Sequence, residues 1–298
     1  MNGKTLIVTN PKSGSGRGMG HAERARDLLT ANQVSVEIRP TSARGDAETF
    51  ASEAVNEGYA CVAACGGDGT VHEVVNALAG TEVRLGILPC GRGNDFARAM
   101  GIPSSPAEAA SVLLRGHTRQ FDLGKVNGRY FATVVTLGFD SEVARLVYDG
   151  AVPFKGVAAY LWGVARMLRT YRGVGLRMTG DFGTINQTVL LAATGNTSTY
   201  GGGIKIAPNA DPADGALDIC LVRMMSAGRI LRVFPRVYWG GHLNHPSVFS
   251  YRTGRLKLET EQPVVLFADG EPVGETPAEI TAVPGALRVA SPPPDRDV

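Results

Sequence analysis

Three glycine-rich loops in the first third of the chain each follow a short apolar segment, and this arrangement limits the possible folds more than any other feature. The loops are Asn10–Gly16, Gly66–Thr70 and Pro89–Asp95. The apolar segments before them, residues 5–8, 60–64 and 85–88, have the composition of buried strands. Helical patterns separate the three units, so the spacing predicts a parallel sheet with helices on both faces.

The position of these loops suggests what they bind. In an open parallel sheet, ligands bind beyond the carboxyl ends of the strands, where backbone N–H groups and helix N-termini attract phosphates. Ser13 and Thr70 supply hydroxyl donors, and Asp68 and Asp95 place carboxylates where they could reach a magnesium ion. Any one such loop can be a simple turn, but three at one expected edge favour a phosphate site. The sequence contains neither GxxxxGK[ST] nor a GxGxxG that opens a helix.

The pattern changes near Phe121, where strand-like runs separated by turn residues replace the strand–helix alternation. Two helical stretches, Gly156–Tyr171 and Ser226–Tyr238, interrupt these runs. We therefore predict an α/β domain over residues 1–122, a β-rich domain over 123–290 and a disordered tail over 291–298.

Two acidic segments in the second half are candidate sites. Asp269 and Glu271 flank Gly270 at a strand end and would share one face if the segment were extended, so that a carboxylate could accept a hydroxyl proton. A hairpin turn with two solvated acids is the alternative. Asp211 and Asp214 could form a cation loop or an ordinary turn.

Composition excludes several other classes of protein. The net charge of +2 gives no global basic field, so nucleic acid is not an expected partner. The sequence has no run of about 18 apolar residues, so it predicts no membrane-spanning helix. The four cysteines show no CxxC pairing, which argues against zinc and favours reduced thiols in a cytoplasmic protein.

Taken together, the motifs resemble those of the soluble diacylglycerol/lipid kinases of bacteria, relatives of eukaryotic diacylglycerol, ceramide and sphingosine kinases. Six blocks carry the resemblance in order, from about residue 4 to 290: residues 10–14, 66–76, 88–98, 121–124, 207–215 and 269–271.

The resemblance implies an N-terminal phosphofructokinase-like α/β nucleotide domain and a C-terminal β-sandwich-like domain, with the active site in the cleft between them. It implies ATP and Mg²⁺ as cofactors and phosphoryl transfer to a lipid hydroxyl, with diacylglycerol as the expected acceptor. The implied nucleotide contacts are Asn10, Pro11, Lys12, Ser13, Gly14, Thr41, Gly66, Gly67, Asp68, Gly69, Thr70, Val71, His72, Arg92 and Asn94. Glu271 would be the proton acceptor, with Asp269 close by.

The resemblance also implies two metal sites. A structural magnesium would be bound by Asp214 and by oxygens of Asp211 and Ala216, whereas Asp68, Asp95 and Asp122 would form an acidic network that reaches the catalytic metal. Arg92 departs from the family, which usually has Thr there, so its contact with ATP is a hypothesis.

Several alternatives remain open at the level of sequence. The acceptor could be a sphingoid base, ceramide, a phosphatidylglycerol-like lipid or NAD, and a catalytically silent nucleotide- or lipid-binding regulator is a further alternative. A lipid substrate requires access to a membrane surface, so we expect a peripheral protein at the inner face of the membrane. The basic and aromatic segments at residues 226–239 and 160–169 are candidates for that contact, and amphipathic helices packed on the β-rich domain are the alternative. A homodimer is also possible in this family.

Overall fold

A computed structural model describes residues 3–115, 117–154 and 157–293. The chain forms two compact units. Unit 1 contains the described residues of Met1–Leu123 and Val283–Val298, and unit 2 contains those of Gly124–Ala282.

Unit 1 alternates strands and helices along the chain. Its elements are β1 (Thr5–Thr9), α1 (Ser13–Gly16), α2 (Gly18–Ala31), β2 (Val36–Pro40), α3 (Asp46–Asn56), β3 (Cys61–Gly66), α4 (Asp68–Leu78), β4 (Arg84–Pro89), α5 (Asp95–Ala99), α6 (Pro106–Leu114) and the first part of β5 (Thr118–Val126). The four strands β2, β1, β3 and β4 pair in that order and are all parallel. The predicted parallel α/β unit is therefore confirmed.

The core of unit 1 explains why its strands carry continuous apolar runs. Every residue of β1, β3 and β4 is buried, because helices cover the sheet. Helix α2 packs against α6, and α3 packs against α4. The helix α2 faces the core with Ala22, Ala25 and Leu29, which recur at helical spacing.

Unit 2 is built around antiparallel strands. Its elements are the end of β5, β6 (Arg129–Phe131), β7 (Val134–Gly138), α7 (Phe139–Tyr148), α8 (Val157–Thr170), β8 (Val174–Gly180), β9 (Gly183–Gly195), β10 (Leu217–Arg223), α9 (Ala227–Val233), two 3-10 segments (Phe234–Trp239 and Gly241–Asn244), β11 (Val248–Thr253), β12 (Arg255–Thr260), β13 (Val265–Ala268), β14 (Glu271–Glu275) and the first part of β15 (Ala278–Ala290). The strand order is β14-β13-β7-β9-β8-β12-β15, and β10 pairs with both β9 and β11. The predicted β-rich second half is therefore confirmed.

Three local features of unit 2 differ from the predictions. The sequence of residues 131–136 predicts one continuous strand, but the structure interrupts it at Ala132 and Thr133, so β6 and β7 are separate strands. Helix α7 was not predicted at all. The helix expected over Ser226–Tyr238 ends at Val233 and continues as 3-10 turns, because Pro235 lacks the N–H that an α-helix would require there.

Strand β15 contributes to both units. Its first residues pair with β12, from Ala278 to Thr281, and Val289 pairs in parallel with Leu85 of β4. Residues 283–290 therefore pack in unit 1, although the sequence pattern placed them in the second domain. Ser291 is buried and donates its N–H to the carbonyl of His117, and residues 294–298 of the predicted disordered tail lie outside the described residues.

The helices of the described segments are also informative about membranes. Within residues 3–115, 117–154 and 157–293, no helix is long and apolar enough to cross a bilayer.

Candidate active site

The three glycine-rich loops meet at one edge of the unit 1 sheet because β1, β3 and β4 are parallel neighbours. Asn10 donates its N–H to the carbonyl of Cys65 at 3.0 Å, and Cys90 donates to Gly66 at 2.9 Å. Thr41 lies at the same edge, since its N–H donates to the carbonyl of Thr9 at 2.8 Å. The structure thus brings the predicted loops, and Thr41, to the carboxyl ends of adjacent strands.

Asp68 ties the second loop to the third. Its Oδ2 accepts the N–H of Asn94 at 2.8 Å, and its Oδ1 accepts the N–H of Asp95 at 2.7 Å. The Asn94 side chain in turn accepts from the Gly91 N–H at 2.9 Å and donates to the Gly91 carbonyl at 3.0 Å. The third loop is therefore held in one conformation by a carboxylate from its neighbour.

Two glycines permit this close approach. A Cβ on Gly93 would lie 2.5 Å from Asp68 Oδ2, and a Cβ on Gly14 would lie 2.6 Å from the Cys90 carbonyl. Gly14 also has φ of 59°, in the left-handed region that favours glycine. A side chain at position 14 would push the first loop away from the third, and one at position 93 would displace the Asp68 carboxylate that joins the second loop to the third.

The second loop leads directly into helix α4, whose N-cap is Gly67. The positive end of the helix dipole therefore lies at the loop, which suits a phosphate group. Thr70, Val71 and His72 are buried, so the side chains of these predicted contacts point away from solvent. Contacts from the first turn of α4 would therefore be made by backbone N–H groups.

Three cationic side chains surround the first and third loops. Lys12, Arg17 and Arg92 are exposed, and within the described part of the chain none of them forms an ion pair with a carboxylate. Arg17 donates its Nε–H to the Gly14 carbonyl at 2.8 Å. Burial raises the pKa of the neighbouring Cys90 thiol while Arg17 opposes that rise, so the thiol is neutral at pH 7. The positive charges of Lys12, Arg17 and Arg92 at this edge therefore suit a polyphosphate.

The predicted acidic network is more dispersed than a protein-built metal cage. Asp95 is paired with Arg98 at 2.8 Å, and Asp122 Oδ1 accepts the N–H of Gly285 at 2.7 Å. Among the described residues no three His, Cys, Asp or Glu side chains come together in a group that could hold a metal. Magnesium in phosphoryl-transfer sites usually takes one or two carboxylates and completes its shell with substrate phosphates and water, so Asp68 and Asp95 fit an ion that arrives with a nucleotide. Their metal role stays a prediction.

The loop at residues 211–216 is built as a pair of turns. Asp211 Oδ1 accepts the N–H of Ala213 at 3.1 Å, and Asp214 Oδ1 accepts the N–H of Ala216 at 3.0 Å. The guanidinium of Arg252 also forms an ion pair with Asp214. A cation at this loop would have to share Asp214 with Arg252, so the structural magnesium also stays a prediction.

In unit 2, Asp269 and Gly270 form a two-residue hairpin turn between β13 and β14. Both have positive φ, 52° and 86°, which is the geometry of a type I′ turn. The segment is not extended, so the condition under which Asp269 and Glu271 would share a face is not met. Glu271 is the first residue of β14, and its Oε2 is shielded from solvent.

The carboxylate of Asp269 is directed at the break between β6 and β7. Its Oδ2 accepts the N–H of Ala132 at 2.9 Å, and its Oδ1 accepts the N–H and the hydroxyl of Thr133 at 2.8 and 2.6 Å. Asp269 thereby fixes the turn that carries Glu271.

Sequence reasoning missed several residues that position these parts. Glu73 accepts the N–H groups of Gly45 and Ala47, both at 3.0 Å, and so holds the start of α3 beside the second loop. Arg98 clamps Asp95 and also donates to the Gly93 carbonyl at 2.9 Å. The i, i+3 spacing of Asp95 and Arg98 was a readable signal, whereas nothing local pointed to Glu73.

A half-buried carboxylate in unit 2, with one oxygen shielded from solvent, was also missed. Asp140, in the first turn of α7, accepts the hydroxyl of Tyr200 at 3.0 Å. Burial raises the pKa of Asp140 to about 6, although hydrogen bonds from Tyr200 and Thr136 oppose the rise. The nearby Tyr171 hydroxyl is also buried, and its pKa is raised by that burial and by Asp140 and Glu142.

Two families of sequences match the chain, one in each half. The diacylglycerol kinase catalytic domain matches residues 4–126. The YegS C-terminal NAD kinase beta sandwich-like domain matches residues 133–291.

Individual proteins match over nearly the full length. A diacylglycerol kinase of Mycobacterium tuberculosis is 37% identical, with 97% of this chain and 96% of the relative covered. A "Probable lipid kinase YegS-like" of Pseudomonas aeruginosa is 36% identical, with 97% and 94% covered. The crystal structure of a diacylglycerol kinase from Bacillus anthracis strain Sterne superposes with a TM-score of 0.76 at 26% identity, with 97% of both chains covered.

Proposed function

Because this chain belongs to the bacterial family of diacylglycerol and YegS-like lipid kinases, we propose that it transfers the γ-phosphoryl group of ATP to the primary hydroxyl of diacylglycerol, giving phosphatidic acid. As a member of this family it is a lipid kinase that uses ATP. The acceptor, the base and the metal are the parts that the proposal adds.

One observation supports the nucleotide role above the others: the bridge from the Asp68 carboxylate to the N–H groups of Asn94 and Asp95. It fixes the third loop beside the second at the carboxyl edge of a parallel sheet. Backbone N–H groups, a helix N-terminus and the cations Lys12 and Arg92 are then available to a triphosphate. Such preformed positioning is the main contribution that a protein makes to phosphoryl transfer.

In the proposed reaction the acceptor oxygen attacks the γ-phosphorus in line with the bond to the β-phosphate oxygen. The new O–P bond forms as the bond to ADP breaks, and Glu271 accepts the hydroxyl proton late in the step. A bound Mg²⁺ would neutralise phosphate charge and orient the β- and γ-phosphates, and Asp68 and Asp95 are the carboxylates that would hold it. Asp269 would act as a positioning residue, since its carboxylate is engaged by Ala132 and Thr133.

Diacylglycerol is proposed as the acceptor on the strength of the relatives. The Mycobacterium tuberculosis and Bacillus subtilis relatives are named diacylglycerol kinase, at 37% and 31% identity. ATP and a lipid hydroxyl meet at the inner face of the cell membrane, so we propose that the protein works there as a peripheral enzyme.

The test is transfer of labelled phosphate from ATP to a panel of lipids in mixed micelles with magnesium. The panel contains diacylglycerol, a sphingoid base, ceramide and phosphatidylglycerol, and NAD is assayed separately. We expect labelled phosphatidic acid from diacylglycerol. A labelled product from another lipid would make that lipid the acceptor in place of diacylglycerol. If no lipid gives a product although ATP still binds, the protein is better described as a catalytically silent regulator.

The matched pair Glu271→Gln and Glu275→Gln tests the base. Both glutamates lie on β14, but Glu275 is exposed at the far end of the strand. We expect Glu271→Gln to lower turnover by roughly 10²–10⁴-fold and Glu275→Gln to leave it unchanged. Near-normal turnover in Glu271→Gln would remove Glu271 from the mechanism.

A further inference from the structure

We propose that the segment from α9 through the 3-10 turns that follow it is a docking surface for an anionic lipid bilayer. The segment, Ala227–Trp239, belongs to unit 2. The proposal deepens the proposed function, since a bilayer is where a lipid acceptor resides, but its evidence is the surface itself.

The segment is divided into an inward and an outward side. Val233 and Val237 are buried, and Ile230 packs with them in the apolar cluster of unit 2. These residues anchor the segment to the β-strands at helical spacing.

The outward side is apolar to an unusual degree. Leu231, Phe234, Tyr238 and Trp239 each expose between 47% and 66% of their surface, with Trp239 the most exposed. The rings of Phe234 and Tyr238 contact each other edge to face, 6.2 Å between centroids. If the segment were only an amphipathic helix packed on the β-strands, these residues would face inward, so their exposure indicates that something else covers them.

Three arginines alternate with these apolar residues. Arg229, Arg232 and Arg236 are exposed, and within the described ranges none of them pairs with a carboxylate. Residues 219–258 contain no Asp or Glu and seven Arg or Lys, of which Arg252, Arg255 and Lys257 pair with carboxylates outside this range. Lys205 lies beside the segment, since its backbone N–H donates to the carbonyl of Val237 at 3.2 Å. Its exposed ammonium group is a further cation at this surface. The unpaired positive charge of this surface is therefore that of Arg229, Arg232 and Arg236, with Lys205 beside them.

Charge decides between the two occupants that an exposed apolar surface suggests. A second copy of the chain, related by a two-fold axis, would bring six unpaired guanidinium groups together and leave them uncompensated. An anionic bilayer supplies lipid phosphates for the arginines and an interface for Trp239 and Tyr238, whose rings are apolar with a polar edge.

The neighbouring candidate on α8 is weaker. Tyr160 and Leu161 are exposed there, but Met167 and Leu168 pack into the apolar cluster of unit 2. Arg166 and Arg169 are exposed on α8 as well, but Tyr160 is its one exposed aromatic among the described residues, whereas Ala227–Trp239 exposes Phe234, Tyr238 and Trp239.

The experiment is co-sedimentation of the full chain with vesicles of phosphatidylcholine alone and of equimolar phosphatidylcholine and phosphatidylglycerol at low salt. We expect binding to the anionic vesicles only. Each arginine near the surface contributes about fivefold to partitioning, so R229Q/R232Q/R236Q should weaken binding on the order of 100-fold. The control R24Q/R115Q/R177Q removes the same charge from three other exposed arginines and should bind like the wild type.

A fluorescence measurement tests the apolar part. In a Trp162→Phe background Trp239 is the sole tryptophan, and its emission should shift to the blue on addition of anionic vesicles. Equal loss of binding in the two triple variants, or no shift of Trp239, would overturn the proposal. Wild-type dimers that Trp239→Ala dissociates, without vesicle binding, would assign the surface to a second copy.

The test of the docking surface can be separated from the test of the proposed kinase function. Phosphorylation of a short-chain diacylglycerol dispersed in detergent does not need a bilayer, so R229Q/R232Q/R236Q should retain it. Loss of vesicle binding with this activity intact supports the docking surface. Absence of kinase activity in every variant would count against the proposed function and leave the binding result to stand by itself.

Discussion

Asp269 Oδ1 accepts two hydrogen bonds from Thr133, one from its N–H at 2.8 Å and one from its hydroxyl at 2.6 Å. These bonds join residues 136 positions apart and satisfy the backbone where β6 gives way to β7. The turn that carries Glu271 is therefore held by a charge-assisted contact.

Asp269→Asn tests this contact. The amide can accept on one side only, and its NH₂ group would face the N–H of Ala132 or Thr133, which leaves a donor unsatisfied. We expect a loss of roughly 1–3 kcal/mol in the free energy of unfolding, measured in urea. Thr133→Val removes only the hydroxyl and should cost less. Equal stability of Asp269→Asn and wild type would show that the carboxylate charge is not needed.

Gly93→Ala should displace the Asp68 carboxylate and so weaken its bridge from the second loop to the third, because its Cβ would lie 2.5 Å from Asp68 Oδ2. A displacement of about 1 Å at a phosphate site costs on the order of 100-fold, so we expect kcat/KM for ATP to fall by about that factor. Gly20→Ala is the control, since its Cβ would have no neighbour within 4 Å. Unchanged ATP kinetics in Gly93→Ala would mean that the loops do not hold the phosphates.

Arg92→Thr replaces the exposed guanidinium of the third loop with a hydroxyl. If the exposed guanidinium contacts ATP phosphates, the KM for ATP should rise about fivefold, as expected for roughly 1 kcal/mol from an exposed charge. Arg115→Thr, at another exposed arginine, should have no effect. An unchanged KM in Arg92→Thr would remove Arg92 from the nucleotide site.

Asp140→Asn should remove one pH-dependent contribution to stability. The pKa of Asp140 is about 6 in the folded protein against an ordinary value of 3.8, so the folded state binds more protons between these values. The contribution of Asp140 to the stability of the wild type should therefore fall as pH rises from 4 to 7, and Asp140→Asn should lack this contribution. At 1.36 kcal/mol per pKa unit the variant should be more stable at pH 7 by up to about 3 kcal/mol.

Ionisation of Asp181 should change stability with pH in the opposite direction to ionisation of Asp140. Hydrogen bonds from Thr253 and Gly254 lower its pKa, so its contribution to stability is present above the ordinary value and lost as pH falls. Urea unfolding of Asp140→Asn and Asp181→Asn from pH 3 to 8 compares the two. Parallel pH profiles for wild type and Asp140→Asn would show that Asp140 ionises normally.

The sequence was most informative where function depends on local backbone geometry. Gly14 and Gly93 are needed because loops approach each other closely, and their clustering after apolar strands was visible in the sequence. The parallel order of β1, β3 and β4 then follows from strand–helix alternation.

Contacts between distant segments could not be predicted in the same way. The partners of Asp269 at Ala132 and Thr133 depend on which strands become neighbours, and no short motif records that choice. Asp140 carries no signal either, because only the folded surroundings of α7 bury it. Pro235 did offer a local signal, and the predicted helix was correct up to Val233 and wrong only in its continuation through Pro235.

The pairing of Val289 with Leu85 has a consequence for how the protein is made. Translation delivers β4 early and the last part of β15 only after all of unit 2 has been synthesised. Until then the outer edge of β4 lacks this partner, and an open strand edge invites wrong pairing. A truncated chain that ends at residue 123 should therefore be prone to aggregation. During synthesis, unit 1 can finish folding only after unit 2 has been translated.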